Sequence, residues 1–256
     1  MLTLLSPAKT FASASKLPQI PTELSEPLLI KQSRPIVSEA LSMKAEELGR
    51  ALHISPKLAL EAHRHWQNFV DPSISGAAAA LMYSGMVFRK LGAKTFDREQ
   101  WEYACECLRF TSFVYGLLRP NDEIKPYRME GNVWLERERK SVFEYWRDDL
   151  TRMLIDEVQQ RGGVLCFLAS EEMKQLFHWR AVEEAVQVIS PTFLTRQPDG
   201  STKQIVIYTK MARGLMARSI ILSRIEDPEA LRHLSPEGFL YCPDHSSQSE
   251  LVYLMD

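Results

Sequence analysis

The chain has 256 residues but little net charge, few cysteines and no long apolar run. Its formal charge at pH 7 is −2, so it is not a polycation that coats nucleic acid, and any phosphate binding has to come from a local basic patch. No apolar run approaches the ~20 residues that span a bilayer, and the apolar start of the chain is too short and uncharged for a signal peptide. We therefore expect a cytoplasmic protein with no membrane partner.

Motifs for metals and nucleotide cofactors are also missing. The four cysteines include one C-x-C pair, Cys105 and Cys107, and no second pair at zinc spacing. The six histidines form no H-E-x-x-H motif, and no Walker A or G-x-G-x-x-G sequence follows a predicted strand. The sequence therefore predicts no metal site and no cofactor, and it favours reduced thiols packed as small apolar groups.

What the chain does have is the composition of a globular protein. Hydrophobic residues make up 45% of it and charged residues 25%, and neither a linker nor an internal repeat divides it. Apolar runs and amphipathic segments alternate, which favours one α/β domain over residues 1–256, with a mixed β-sheet surrounded by helices. Strands are predicted at 2–5, 164–168, 239–241 and 251–254. Helices are predicted at 96–108, 142–160 and 212–225, and another helix begins at 169–172. A β-hairpin is predicted to join 186–195 to 204–209 through Asp199-Gly200.

The segment 108–131 combines arginines, tyrosines and prolines. An apolar run leads into Arg119-Pro120, and Pro126 precedes Tyr127 and Arg128. Each proline fixes φ and removes a backbone donor, so both arginines are predicted to lie on a stiff loop beside a buried element. Such a loop suits a site for a planar anion.

Lys9 follows the first predicted strand. The segment from Ser6 to Lys9 formally matches the S-x-x-K pattern of serine acyl-enzymes. We reject that interpretation because the segment follows a strand, contains Pro7 and lacks the partner motifs. Lys9 is better interpreted as a phosphate-seeking or structural cation on a loop.

Residues 201–225 contain five cations and no acid. On a helix that starts near Lys210, steps of about 100° bring Lys210, Arg213 and Arg224 onto one side, with Arg218 nearby. The other positions are mostly apolar, which indicates a largely buried helix, and buried arginine is rare unless it is paired. Two interpretations stay open, namely pairing with internal carboxylates such as Glu130 or Glu171, and a cleft lined with cations.

Residues 45–65 are predicted to form two helices joined by a tight bend. Ser55 suits the N-cap of the second helix, and Pro56 suits its first turn. A helix-hairpin-helix unit presents backbone N–H groups to DNA phosphate at such a bend, and Arg50, Lys57 and Arg64 would add charge. The usual glycines of that motif are missing, so an ordinary αα-hairpin with solvated basic residues is the alternative.

Five segments carry a resemblance to a known family, namely LSPAKT at 5–10, YGLLRP at 115–120, PYR at 126–128, LAS at 168–170 and ARGLMAR at 212–218. With them the sequence resembles the YaaA family, a group of bacterial cytosolic proteins linked to peroxide-stress resistance. The resemblance implies a family-specific single-domain α/β fold, a positively charged cleft, and binding of double-stranded DNA aided by a helix-hairpin-helix-like element. It also implies an association with limiting peroxide damage by restraining free iron.

Two positions depart from the family pattern. Met86 stands where the family's F-x-G-D-V-Y stretch has its acid, and Met173 stands where the tyrosine of its E-Y-x-K pattern is expected. The lysine of the second pattern is displaced to Lys174. Any chemistry that depends on that acid and that tyrosine is therefore in doubt for this chain, whereas anion binding transfers more safely.

The leading hypothesis is a DNA-binding protein of the peroxide response that contacts duplex phosphates with little sequence preference. The alternative is an enzyme that acts on a small anionic or nucleotide-like substrate in the same cleft, with Tyr127 stacking on it or donating a proton. Direct iron sequestration is disfavoured because the sequence shows no ligand cluster at metal spacing. The predicted cleft residues are Lys9, Arg119, Tyr127, Arg128, Lys210, Arg213 and Arg218, the predicted helix-hairpin-helix contacts are Arg50, Ser55, Lys57 and Arg64, and no residue is assigned a catalytic role.

Overall fold

The computed structural model describes residues 1–255, in which helices and short strands alternate along the chain. The strands are β1 Leu2–Leu5, β2 Ala77–Ala78, β3 Leu108–Ser112, β4 Gly116–Leu118, β5 Glu123–Ile124, β6 Trp134–Leu135, β7 Lys140–Ser141, β8 Val164–Phe167, β9 Gln187–Arg196, β10 Thr202–Lys203, β11 Leu240–Tyr241 and β12 Glu250–Met255. The α-helices are α1 Arg34–Ser42, α2 Ala45–Ala51, α3 Pro56–Val70, α4 Ala79–Met82, α5 Met86–Leu91, α6 Arg98–Cys107, α7 Val142–Gln160, α8 Trp179–Ala185 and α9 Val206–Leu222.

Strand β1 lies in the interior of the main sheet. All four of its residues are buried, as expected for a parallel strand that is covered on both faces. It pairs in parallel with β3 on one side and with β8 on the other. The full order is β11-β12-β9-β8-β1-β3-β4, with β10 paired to β9. The edge strands β4, β10 and β11 run antiparallel to their neighbours, so the sheet is mixed, as predicted.

The order of the parallel strands creates a switch point beside β1. In chain order these strands are β1, β3, β8, β9 and β12, so their spatial order is 2-1-3-4-5. The chain first moves to one side of β1, then returns to the other side with β8. In open α/β sheets, ligands bind outside the carboxyl ends of the strands at such a reversal. A ligand site is therefore expected at the loops that follow β1 and β8.

Two groups of helices pack with this sheet. Helix α7 packs against α8 and against β8, whereas α9 packs against α5, α6 and β9. Helix α7 covers the predicted range because Ser141 and Glu144 cap its first turn reciprocally. In residues 1–255 no helix is long and apolar enough to cross a membrane.

The region around α9 differs from the sequence prediction. The hairpin through Asp199-Gly200 is confirmed, with Gly200 at a φ of 82°. Its second strand is only β10, because α9 already begins at Val206, so the predicted strand at 204–209 is wrong. A helix that starts there buries Thr209 and Ala212 on one side, whereas Val206 stays exposed. The apolar residues at the start of α9 form a pattern that is also typical of a strand, which explains the wrong prediction.

Candidate anion-binding cleft

A cavity of about 350 Å³ opens at the carboxyl ends of β1 and β8. Its walls come from the loops after these two strands, from the loop that carries Arg128, and from α5 and α9. The structure brings together five of the seven residues predicted for the cleft, which are Lys9, Tyr127, Arg128, Lys210 and Arg213. The cavity therefore lies at the switch point of the sheet, where the fold itself favours a ligand.

Two serines join the strand ends beside this cavity. The Ser170 N–H donates to the Ser6 Oγ over 2.8 Å, and the Ser6 hydroxyl donates to the Ser170 Oγ over 3.2 Å. These bonds hold the loop after β8 against the loop after β1. Within residues 1–255 the Ser170 hydroxyl proton then has no acceptor, so Ser170 keeps a donor at the cavity wall.

One wall of the cavity places two cations around a single carboxylate. The Lys9 Nζ donates to both carboxylate oxygens of Glu130, at 2.7 and 2.8 Å. An Arg128 Nη2 atom lies 3.8 Å from the same carboxylate, and the Arg128 Nη1 donates to the Lys9 carbonyl oxygen over 3.4 Å. The Arg128 Nε is enclosed and has no acceptor in the described chain. Two positive charges share one negative charge, so this wall stays electropositive.

Helix α9 contributes Arg213 and Lys210 to the lining of the cavity. Arg213 forms no hydrogen bond and no ion pair with residues 1–255, and its Nε is enclosed without an acceptor. Partial burial lowers the pKa of the Arg213 guanidinium, and the Glu171 carboxylate partly opposes this. Charges that are withdrawn from water in proteins are normally paired. An anion from outside the chain would supply the missing partner.

Close packing between α5 and α9 fixes the position of Arg213. A Cβ on the neighbouring Gly214 would overlap the Val87 carbonyl oxygen and lie 2.8 Å from the Lys90 Cβ. Only glycine therefore lets α9 approach α5 this closely.

This packing predicts the sign of a substitution. Gly→Ala inside a helix usually stabilises a protein by about 1 kcal/mol, but Gly214→Ala should lower the free energy of unfolding by about 1–3 kcal/mol because the helices must move apart. Urea unfolding measures the change, with Ser219→Ala on the same helix as the control. A more stable Gly214→Ala protein would contradict the packing described.

Tyr127 belongs to a buried chain of hydroxyl groups. The Tyr127 Oη lies 2.7 Å from the Tyr83 Oη and 2.7 Å from the Ser112 Oγ. The Ser112 Oγ already accepts from the N–H groups of Val114 and Tyr115. Burial raises the pKa of Tyr127 to about 12, so its hydroxyl stays neutral at physiological pH. Tyr127 is a fixed polar wall residue and not an ionised base.

A larger cavity of about 930 Å³ extends this site toward α3. Both cavities share Lys9, Thr10, Tyr127 and Arg128 as wall residues, so they adjoin, and we call the two cavities together the cleft. Burial lowers the pKa of His65, so this histidine adds no charge to the cleft at neutral pH. The α3 residues that line the cleft are Leu58, Glu61, Ala62, His65 and Asn68.

Arg119 does not line either cavity. Its Nε and Nη2 donate to the buried Asp122 carboxylate over 3.0 and 2.8 Å, and its Nη2 also donates to the Glu26 carbonyl oxygen. The Arg119 N–H bonds the second oxygen of Asp122 over 2.8 Å. The stiff loop predicted from the two prolines is therefore held by Asp122. We correct the prediction for Arg119 to a structural role.

Arg218 also lies outside the cleft. Its Nη1 donates to the Leu91 and Gly92 carbonyl oxygens at the end of α5, over 3.1 and 3.2 Å. Its guanidinium carbon lies 5.5 Å from the centre of the Phe96 ring. A cation at a helix C-terminus satisfies free carbonyl groups and favours the helix dipole. The prediction for Arg218 is corrected in the same way.

The helices predicted for 45–65 are present as α2 and α3, with Ser55 as the N-cap of α3. At the bend, the His53 N–H donates to the Arg50 carbonyl and the Ile54 N–H donates to the Gly49 carbonyl. His53 has a φ of 51°, and this pattern closes the end of α2. These N–H groups are therefore unavailable to a phosphate. The predicted contacts Arg50, Ser55, Lys57 and Arg64 are exposed and lie outside the cleft lining.

Sequence reasoning missed part of the cavity wall. Ser170, Met86 and Met173 all line it, so both departures from the family pattern fall in this one cavity. Lys174 does not reach it, because its Nζ bonds Glu171 over 2.8 Å and lies 5.1 Å from the Trp179 ring. The available signal was that Ser6 and Ser170 each follow a buried strand.

The described chain offers neither an assembled metal site nor a reactive buried thiol. Within residues 1–255 no group of three or more His, Cys, Asp or Glu side chains could hold a metal ion. Burial raises the pKa of Cys105 and Cys107 to about 11 and that of Cys166 to about 12. The thiolate is the form that peroxide oxidises, so these three cysteines are poor peroxide targets.

Comparisons with known proteins assign the chain to a family. A family model described as peroxide stress protein YaaA matches residues 1–245. A UPF0246 protein of Porphyromonas gingivalis is 49% identical, and the match covers 100% of both chains. UPF0246 proteins of Bacteroides thetaiotaomicron and Phocaeicola vulgatus are each 42% identical over 99% of this chain and 98% of theirs. The chain therefore belongs to the YaaA family of peroxide stress proteins.

Proposed function

We propose that this protein binds duplex DNA in the peroxide stress response, with backbone phosphates against the cations of the cleft. The observation that carries the proposal is the unpaired Arg213 guanidinium, which lines the same cavity as Arg128, where there are too few acids to neutralise both. Arginine forks match phosphate geometry and bind it through two parallel N–H groups. DNA that is covered by the bound protein would be shielded from iron-dependent peroxide damage. Binding of this kind does not require a metal ion in the protein.

The charge balance of the cleft supports phosphate as its ligand. The whole chain carries a net charge of −2, yet the cleft lining contains five Lys and Arg residues and only two acids, Glu61 and Glu172. Glu130 neutralises about one further charge through Lys9. The local excess is positive, which is the pattern that attracts a polyanion to one face of a protein of low net charge.

The α2–α3 pair is proposed as a second DNA contact. Arg50, Lys57 and Arg64 are exposed, and none of them forms an ion pair inside the described range. Because the bend uses its own N–H groups to end α2, the contact would come from these side chains. Side chains that bind phosphate fix the position of a duplex without reading its bases. Binding with little sequence preference follows from this arrangement.

The salt dependence of duplex binding tests the proposal. If the cleft and the α2–α3 pair together neutralise ~4 phosphates, log K should fall against log salt with a slope of about −3.6. Affinity for a labelled duplex should then drop by roughly two orders of magnitude between about 50 and 200 mM salt. Fluorescence anisotropy measures this directly, and an affinity that stays constant over that range would rule the proposal out.

A further inference from the structure

The smaller cavity has features that a duplex does not need. It is a recess of about 350 Å³, which falls in the range of small-molecule sites. It lies outside the carboxyl ends of β1 and β8, at the reversal of the strand order. Phosphates of a duplex can contact the opening of this cavity, but its interior has room only for a small molecule of a few rings or fewer.

We propose that this cavity is a binding site for a small organic anion with an apolar or planar body. Its carboxylate or phosphate head would pair with Arg213, with Lys210 and the Ser170 hydroxyl as further donors. The body would lie against Phe113, Met86 and Met173. This site goes beyond DNA binding but shares Arg213 and Lys210 with it, so a bound small anion and a duplex phosphate would compete for these two cations.

The polar side of the cavity supplies donors without matching acceptors. Arg213 has no hydrogen-bond acceptor among the described residues. The Ser6 hydroxyl uses its proton on Ser170, so the Ser170 proton is left to donate into the cavity. Two acids could compete for Arg213: Glu171 pairs with Lys174 over 2.8 Å, and Glu172 lines the cavity but forms no hydrogen bond or ion pair with Arg213. Donors that the protein leaves unmatched in this way are the expected partners of an anionic head group.

The apolar side of the cavity indicates that the body of the ligand is apolar or planar. Phe113 and Met173 line the cavity and are almost fully buried behind it, at 4% and 2% exposure. Met86 stands at the first turn of α5 on the same lining. Methionine side chains adapt to irregular apolar surfaces and pack well on rings. Inorganic phosphate alone would leave this surface without a partner, so the body of the ligand is expected to add affinity.

Calorimetric titration of the full-length protein with three probes tests the site, at constant ionic strength. The probes are inorganic phosphate, adenosine monophosphate and benzoate. Either organic anion should bind at least about 10-fold more tightly than inorganic phosphate, through contact of its body with the apolar wall. The stronger of the two organic probes identifies the head group as phosphate or carboxylate. Equal affinity for all three probes, or saturable binding of none, would overturn the proposal.

Two variants and a control locate the binding. Arg213→Met keeps the volume but removes the charge, and it should weaken the better probe by about 10-fold or more. Met86→Asp places a carboxylate in the wall at a helix start that tolerates acids, and it should weaken the same probe to a similar extent. Arg152→Met, on the exposed side of α7, should leave the affinity within about 2-fold. Unchanged binding by Met86→Asp would overturn the proposal even if Arg213→Met does not fold.

Discussion

Replacing Arg128 and Arg213 together by glutamate should lower the affinity for duplex DNA by about 100-fold or more at physiological salt. Each change removes a cation that faces the cleft and adds a charge that repels phosphate. Both residues have an enclosed Nε without an acceptor in the described chain, so few internal bonds are lost. Anisotropy titration with a labelled duplex measures the effect, and circular dichroism checks that the variant is folded.

The matched control for this variant is Arg152→Glu with Arg180→Glu. Both residues are exposed, at 76% and 92% of their side chains, on α7 and α8 away from the cleft. The control changes the net charge by the same amount, so it isolates the effect of position. We expect it to lower the affinity by less than about 5-fold, through long-range charge alone. An equal loss in both variants would mean that the cleft is not where DNA binds.

Asp122→Ala should lower the free energy of unfolding by about 3–5 kcal/mol. The Asp122 carboxylate is fully buried and accepts hydrogen bonds from the Ser25 hydroxyl and from the Arg119 N–H, Nε and Nη2. Removing it leaves several partly buried donors without this acceptor, and their desolvation cost exceeds the loss of one ordinary ion pair. Urea unfolding followed by circular dichroism measures the difference.

Asp148→Ala is the control for this loss. Asp148 bonds His178 over 2.6 Å, but 72% of its side chain is exposed, so its removal should cost less than about 1 kcal/mol. Asp122→Ala protein that is still folded at low temperature should bind duplex DNA normally, because Arg119 lies outside the cleft. A loss of less than about 1 kcal/mol for Asp122→Ala would contradict the structural role assigned to Arg119.

Local patterns were sufficient for much of the fold. The apolar run at 2–5 predicted β1, and the capping pair Ser141 and Glu144 explains why α7 begins where its periodicity begins. Asp199-Gly200 predicted a hairpin, which is confirmed. These features depend on residues close in sequence, and local preferences are what a sequence shows directly.

The site was predictable only in part. Lys9, Tyr127, Arg128, Lys210 and Arg213 do share one cavity, because each lies near a strand end or on the helix that covers it. Arg119 and Arg218 were assigned to the cleft because an unpaired and a paired arginine look the same in sequence. Asp122, three residues after Arg119, is the one signal in the sequence for the pairing of Arg119. The carbonyl partners of Arg218 lie 126 and 127 residues away and left no signal.

The pairing of β8 with β1 was the most important feature of the fold that the sequence did not predict. Neither hydrophobic pattern nor turn chemistry specifies which buried strands become neighbours over a separation of this length. Without that pairing, the sequence does not show that Ser6 and Ser170 are neighbours, or that Met86 and Met173 line the same cavity. The cavity lies at the switch point of the sheet, and only the strand order defines that switch point.

The most direct test of the central claim is the salt dependence of duplex binding, measured in parallel for the unchanged protein and for Arg128→Gln with Arg213→Gln. Two lost phosphate contacts should reduce the slope of log K against log salt from about −3.6 to about −1.8. The exposed pair Arg152→Gln with Arg180→Gln should leave the slope unchanged. A slope that is the same in all three proteins would contradict the claim that Arg128 and Arg213 hold DNA phosphates in the cleft.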